Sequence, residues 1–263
     1  MNSYIPVSAK IIDITKHTDK EWTFRVNCDT KGVLPGKFYE ISIPKYGESP
    51  ISVSGYGEDY IDFTIRNVGK ATSELFNYKE GDSFFIRGPY GNGFDVSLYE
   101  GREIVVVAGG SALAPVRGIV EHFYNNKEKC EKFKLIVGFK SPKDVLFAED
   151  LKRWSEKLDI LVTVDGADEG YNGNVGLVTK YIPELDIKDI NNTSAIVVGP
   201  PMMMKFTVGE FLKRDLDEKN IWVSYERKMC CGIGKCGHCK MDDTYICLDG
   251  PVFDYSYAKN LID

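Results

Sequence analysis

Between Cys230 and Cys247 the chain carries five of its seven cysteines, and no ordinary apolar core is built from such a segment. The run Cys231-Gly232-Ile233-Gly234-Lys235-Cys236-Gly237-His238-Cys239, followed by Cys247, opens with the C-x4-C-x2-C spacing of plant-type [2Fe-2S] proteins. Glycines between the thiols suit a cage that wraps tightly round a compact inorganic core, because backbone N–H groups approach the sulfurs without Cβ interference. Cys231, Cys236, Cys239 and Cys247 are therefore the expected ligands, and Cys230, which would give a C-x5-C opening, is not. Spacing alone also admits a zinc knot with four thiolate ligands. An odd, crowded set of cysteines argues against a secreted disulfide framework. Cys28 and Cys130 read as incidental thiols, and His238 as an exposed loop imidazole. Apolar periodicity fades after Trp222-Val223-Ser224, so the tail needs a metal centre to hold it.

Ahead of that tail the patterning changes once. Up to about residue 99, short runs alternate apolar and polar residues, as in Trp22, Phe24 and Val26 or Ile61, Phe63 and Ile65. Gly, Pro and Asp turns separate them, which predicts a small antiparallel barrel. From residue 100 the strands become continuous apolar runs at Ile104–Ala108, Leu135–Phe139, Ile160–Val164 and Ala195–Gly199. Helical patterns lie between them, such as Phe147, Leu151, Trp154 and Leu158, or Met204, Val208, Phe211 and Leu212. That alternation predicts a doubly wound parallel α/β domain. The expected division is 1–99, 100–222 and a small lobe at 223–263.

Two glycine turns mark candidate ligand sites in the α/β part. Gly109-Gly110-Ser111-Ala112 links the first buried strand to a helix, where backbone N–H groups and the helix start can face a pyrophosphate. It is not a G-x-G-x-x-G, and packing alone also explains such glycines. Gly199-Pro200-Pro201-Met202 leaves a later strand at the carboxyl edge where open α/β sheets bind ligands, although a rigid strand exit followed by core methionines reads equally well. In the barrel part, Thr64-Ile65-Arg66 runs into Gly69-Lys70-Ala71-Thr72-Ser73, a basic, hydroxyl-rich turn suited to a second pyrophosphate or simply to capping a helix.

These residues resemble the ferredoxin-NADP reductase superfamily across essentially the whole chain. The resemblance is to the branch that holds the electron-transfer subunits of dihydroorotate dehydrogenases, the gamma subunits of hydrogenases and the corresponding electron-transfer subunits of anaerobic sulfite reductases. Ser49-Pro50-Ile51-Ser52-Val53-Ser54, Ile65-Arg66-Asn67-Val68-Gly69-Lys70 and Val197-Val198-Gly199-Pro200-Pro201 carry it, and the tail from Gly234 through Phe253 resembles the anaerobic sulfite reductase proteins most specifically. The resemblance implies FAD on the barrel, with Pro50, Ile51, Ser52 and Val53 near the isoalloxazine and Arg66 with Gly69–Ser73 at the pyrophosphate. It implies NAD(P)H over Gly109-Gly110 and Gly199-Pro200-Pro201. Where the superfamily has Arg-x-Tyr-Ser this chain reads Ser49-Pro50-Ile51-Ser52, and Ala112 replaces a usual glycine.

The implied chemistry is oxidation of NADH through FAD and a [2Fe-2S] cluster, which demands no side-chain acid or base. The expected partners are the iron–sulfur and sirohaem subunits of a sulfite reductase. A dihydroorotate dehydrogenase or hydrogenase complex, or a zinc-bearing nucleotide-binding regulatory module, is the alternative. Asp165, followed by Gly166-Ala167-Asp168-Glu169, closes the third parallel strand and favours NADH over NADPH by repelling a ribose 2′-phosphate, with Lys140, Lys143 and Arg153 as cations that oppose it. Lys plus Arg number 33 against 39 Asp plus Glu, a formal charge of −6, which argues against nucleic acid as a partner. Met1–Pro6 has no signal-peptide character, and no apolar run reaches the length of a membrane span, so a cytoplasmic protein is expected.

Overall fold

In the computed structural model residues 4–261 are described. By contact they divide into two units, residues 4–94 with 225–252, and residues 95–224 with 253–261. The cysteine segment thus belongs with the barrel, while the last few residues join the parallel sheet.

The first unit is built on six strands, β1 (Val7–Lys16), β2 (Glu21–Asn27), β3 (Phe38–Ile43), β4 (Gly47–Tyr56), β5 (Tyr60–Arg66) and β6 (Ser83–Tyr90), with helix α1 (Lys70–Leu75) after β5. They close into a barrel in the order β1-β2-β5-β4-β3-β6, every pair antiparallel. The period-2 pattern does the folding: Phe24, Val26, Ile41, Ile43, Ile61, Phe63, Ile65, Phe84 and Ile86 all point into one core, and their neighbours face outward. Trp22 is only half-buried and stacks on Phe76 at a centroid distance of 4.4 Å.

In the second unit β7 (Glu103–Gly109), β8 (Lys132–Phe139), β9 (Asp159–Val164), β10 (Asn174–Val175), β11 (Thr193–Val198) and β12 (Ile221–Ser224) form a parallel sheet. Helices α2 (Leu113–Asn125), α3 (Ala148–Trp154) and α4 (Pro201–Leu212) lie between its strands in the chain. After the hairpin of β13 (Lys240–Met241) and β14 (Thr244–Tyr245) and the single turn α5 (Ile246–Asp249), strand β15 (Val252–Asp254) adds to the sheet edge, followed by α6 (Tyr255–Ala258). The order is β10-β9-β8-β7-β11-β12-β15, the doubly wound arrangement expected. β7 and β11 are buried on both faces, which is why their sequences are continuously apolar rather than alternating. Phe147, Leu151, Trp154 and Leu158 are all buried, yet α3 begins only at Ala148, because Phe147 takes left-handed backbone (φ 53°) ahead of it. No helix among the described residues is long and apolar enough to cross a membrane.

Candidate cofactor sites

Chain winding and sheet order together bring the two glycine turns side by side. Successive strands step one way from β7 through β8 to β9, and the other way from β11 to β12, so the β7/β11 junction is the topological switch point where such sheets bind ligands. Gly109 ends β7, and Gly199 directly follows β11, whose last residue Val198 pairs with Ala108. A Cβ on Gly199 would lie 3.4 Å from the Gly109 nitrogen, and a Cβ on Gly109 would lie 2.5 Å from Met203 Sδ. Met203 is thus laid over the glycine pair, whereas Met204 is a core residue. Gly110 and Ser111 form a single 3-10 turn leading to buried Ala112, Pro200 caps α4, and Pro201 and Met202 are exposed at its first turn. Asp165 is exposed just past β9, its N–H donating to the Phe139 carbonyl at 2.8 Å. Of the cations that could oppose it, Arg153 is committed to Asp150 and Glu121.

On the barrel, the residues implied for FAD lie on β4, β5 and α1 with unequal means of contact. Val53 and Ile65 point into the core, and Ala71 is buried, so these offer only backbone. Pro50 is exposed and Ser52 half-exposed. Thr64 is hydrogen-bonded to Thr23 and Ser54, each at 2.8 Å. The Thr72 hydroxyl reaches back to accept from Gly69 N–H at 2.9 Å and Val68 N–H at 3.2 Å, so it secures the start of α1. Ser73 donates to Asn67 at 2.6 Å. The exposed cations of this turn are Arg66, paired with Glu21 at 3.3 Å, and Lys70.

The cysteine segment is the most specific part of the geometry. Cys231, Cys239 and Cys247 are buried, Cys236 is exposed, and Cys230 is intermediate. Among the described residues no three His, Cys, Asp or Glu side chains converge as a ready cation cage. Cys236 interacts with Cys231, and Cys247 with both Cys239 and Cys231. Gly234 N–H donates to Cys247 Sγ at 3.2 Å, and the N–H groups of Lys235 and Cys236 donate to Cys231 Sγ at 3.3 and 3.5 Å. The His238 N–H, foremost, holds the Cys236 thiol below its ordinary pKa, while burial and then the Cys239 thiol push Cys247 up to about 12. Gly232, Gly234 and Gly237 all have positive φ, and a Cβ on Gly232 would fall 2.5 Å from the Tyr90 ring. Amides turned onto sulfur, in a loop only glycine can follow, fit a thiolate-bound iron–sulfur cluster.

A buried group under this loop has no counterpart among the residues the sequence singles out. Arg87 on β6 forks Glu48 through Nε at 3.1 Å and Nη2 at 2.8 Å, and donates to the main-chain carbonyls of Cys230 and Cys231, both at 2.6 Å. Its remaining donor reaches Tyr90 Oη at 3.3 Å. Glu40 lies across from Arg87 on one side and Pro50 on the other, fully buried, with neither carboxyl oxygen hydrogen-bonded. Burial pushes its pKa up to about 7, with Arg87 opposing and Glu48 and Cys231 reinforcing. The glycine-rich run Gly88-Pro89-Tyr90-Gly91-Asn92-Gly93 was the available signal, since it marks backbone crowded against something else.

Comparison with known proteins matches two stretches of the chain to known domains. Residues 106–209 match an oxidoreductase NAD-binding domain, and residues 226–258 match the iron–sulfur cluster binding domain of dihydroorotate dehydrogenase B. The sulfhydrogenase 2 gamma subunit of Pyrococcus furiosus is 36% identical, with 97% of this chain and 96% of the relative covered. The chain belongs to the family of ferredoxin-NADP reductase-like electron-transfer subunits. A probable dihydroorotate dehydrogenase B (NAD(+)) electron transfer subunit of Thermococcus kodakarensis is 32% identical over 93% of each chain. The solved NADH-dependent reduced ferredoxin-NADP oxidoreductase superposes with a TM-score of 0.77 at 26% identity, covering 96% of this chain and 92% of that one. These relatives correct the expectation of a sulfite reductase with iron–sulfur and sirohaem partner subunits, because they are named as hydrogenase and dihydroorotate dehydrogenase B subunits. The tail from Gly234 through Phe253, which carried that expectation most specifically, falls within the stretch that matches the iron–sulfur cluster binding domain of dihydroorotate dehydrogenase B.

Proposed function

We propose that this chain is the NADH-oxidising electron-transfer subunit of a hydrogenase-type or dihydroorotate dehydrogenase-type complex, holding FAD on the barrel and a [2Fe-2S] cluster at Cys231, Cys236, Cys239 and Cys247. The observation that carries it is the cysteine loop, whose amides are aimed at the sulfurs of Cys231 and Cys247. When bound, FAD exchanges a two-electron hydride for single electrons and the cluster carries them one at a time. The protein supplies placement. Gly109, Gly110 and Ser111 with Gly199, Pro200, Pro201 and Met202 receive the dinucleotide at the β7/β11 junction, and Asp165 selects against a 2′-phosphate. Pro50 and Ser52 border the flavin ring, with backbone of Ile51 and Val53, and Arg66 with Gly69–Ser73 receives its pyrophosphate. Thr64 and Thr72, engaged within the fold, hold those strands and that turn in place.

Anaerobic purification, a visible spectrum before and after NADH, and extraction of cofactors test the reading. A coloured protein with FAD, two irons and two sulfides per chain, bleached by NADH, is the expected result. A colourless, zinc-bearing chain refutes it. Which complex is served follows from whether the copurifying partner oxidises hydrogen or dihydroorotate.

A further inference from the structure

Arg87 is buried, with only 3% of its side chain exposed, and all five of its N–H donors are used. Two go to Glu48, one to Tyr90, and one each to the carbonyls of Cys230 and Cys231. A guanidinium can make such a fork only in one orientation. Strand β6 therefore grips the main chain at the first residue of the cysteine loop, while Glu48 on β4 fixes the grip from behind. Tyr90, three residues on, supports the same loop by lying against Gly232. Burial matters as much as the bonds, because a cation screened from water acts on nearby charge far more strongly than one at the surface.

We propose that Arg87 is the positioning residue of the iron–sulfur lobe: it holds the Cys230–Cys231 main chain on the barrel and raises the reduction potential of the group the four thiolates bind. A thiolate-held cluster gains a negative charge on reduction, so a fixed cation at Cys231 favours the reduced form. Glu48 partly offsets that cation, and its share of the effect has the opposite sign. The row Pro50, Glu40, Arg87 across β4, β3 and β6 joins the strand proposed to border the flavin to the strand that grips the cluster loop. The inference rests on the iron–sulfur reading above.

The test is a dye-mediated redox titration of the anaerobically purified full chain, followed by electron paramagnetic resonance, with iron analysis of every sample. Arg87→Gln is expected to lower the midpoint potential, Arg87→Lys to restore it at least in part, and Glu48→Gln to raise it. Hydrogen exchange at residues 230–236 is expected to quicken in both Arg87 variants, because lysine keeps the charge and loses the fork. A purely mechanical brace predicts that Arg87→Gln and Glu48→Gln shift the potential in the same direction or not at all, and either result overturns the proposal. Should Arg87→Gln lose iron, Glu48→Gln decides alone: a raised potential supports the assignment, and an unmoved or lowered one rejects it. Wild-type protein without iron would refute the cluster reading itself, a result distinct from iron-loaded protein whose potentials fail to separate.

Discussion

Replacing Glu40 with Gln should shift stability in the variant's favour as pH rises. The wild-type carboxyl is fully buried with neither oxygen hydrogen-bonded, and its pKa rises from 4.5 to about 7. A carboxyl with a raised folded-state pKa contributes stability that is intact below its unfolded value and lost as pH climbs through the folded one. At about 1.36 kcal/mol per pKa unit, the loss amounts to roughly 1 kcal/mol by pH 5 and about 3 kcal/mol by pH 8. Gln keeps the shape and carries no charge, so it escapes this pH-dependent loss, while its unpaired amide adds an offset that does not vary with pH. With roughly 2–4 °C of midpoint per kcal/mol for a chain of this size, the variant should gain about 4–8 °C on wild type between pH 5 and pH 8. Circular dichroism melts of the cofactor-loaded proteins from pH 5 to pH 8 measure the gap directly. A constant offset between the variant and wild type reports only the substitution, whereas its growth with pH reports the titration. Parallel midpoint curves would show that Glu40 does not titrate in this range and would refute the reasoning.

Serine in place of Cys231, Cys236, Cys239 or Cys247 should strip iron and visible colour, while Cys230→Ser keeps both; loss at Cys230 with retention at Cys231 would reverse the ligand assignment. NADH should reduce the flavin faster than NADPH, and Asp165→Ser should narrow the difference in stopped-flow traces; faster reduction of wild type by NADPH rejects the role given to Asp165. Gly232→Ala forces positive φ on a residue with a Cβ 2.5 Å from the Tyr90 ring, so it should cost about 1–3 kcal/mol. Its signature would be a lower melting midpoint and reduced iron content, and unchanged values for both would show that the loop tolerates a different path.

Legibility differed between the backbone frame and the charges buried on it. Phe24, Val26, Ile61, Phe63 and Ile65 announce the barrel because strand period and core face coincide along a few successive residues. The continuous run at Ile104–Ala108 announces a doubly covered strand for the same local reason. Gly109 and Gly199 were each visible at strand ends, but their adjacency depends on the reversal of strand order between β7 and β11, a property of the whole sheet. Glu40 lies on the face of β3 opposite the core residues Tyr39, Ile41 and Ile43, where a charged residue is ordinarily solvated. The cysteine segment, nearly two hundred residues away, turns that outer face into an interior. Arg87 and Cys231 are 144 residues apart, so no local pattern couples them. Partner choice was illegible for a different reason, since the tail behind the sulfite reductase expectation lies in a stretch shared with the iron–sulfur domain of dihydroorotate dehydrogenase B.

Unequal burial of the four cysteines bears on upkeep as much as on electron flow. Three of them are enclosed, and only Cys236 meets solvent. Peroxide therefore meets Cys236 before the other three, since thiolate character with exposure governs which sulfur is attacked first. Damage should begin at that atom. A lobe with a single exposed thiol among these four wears out in a defined order, and limited oxidation should mark Cys236 while the thiols of Cys231, Cys239 and Cys247 are still intact.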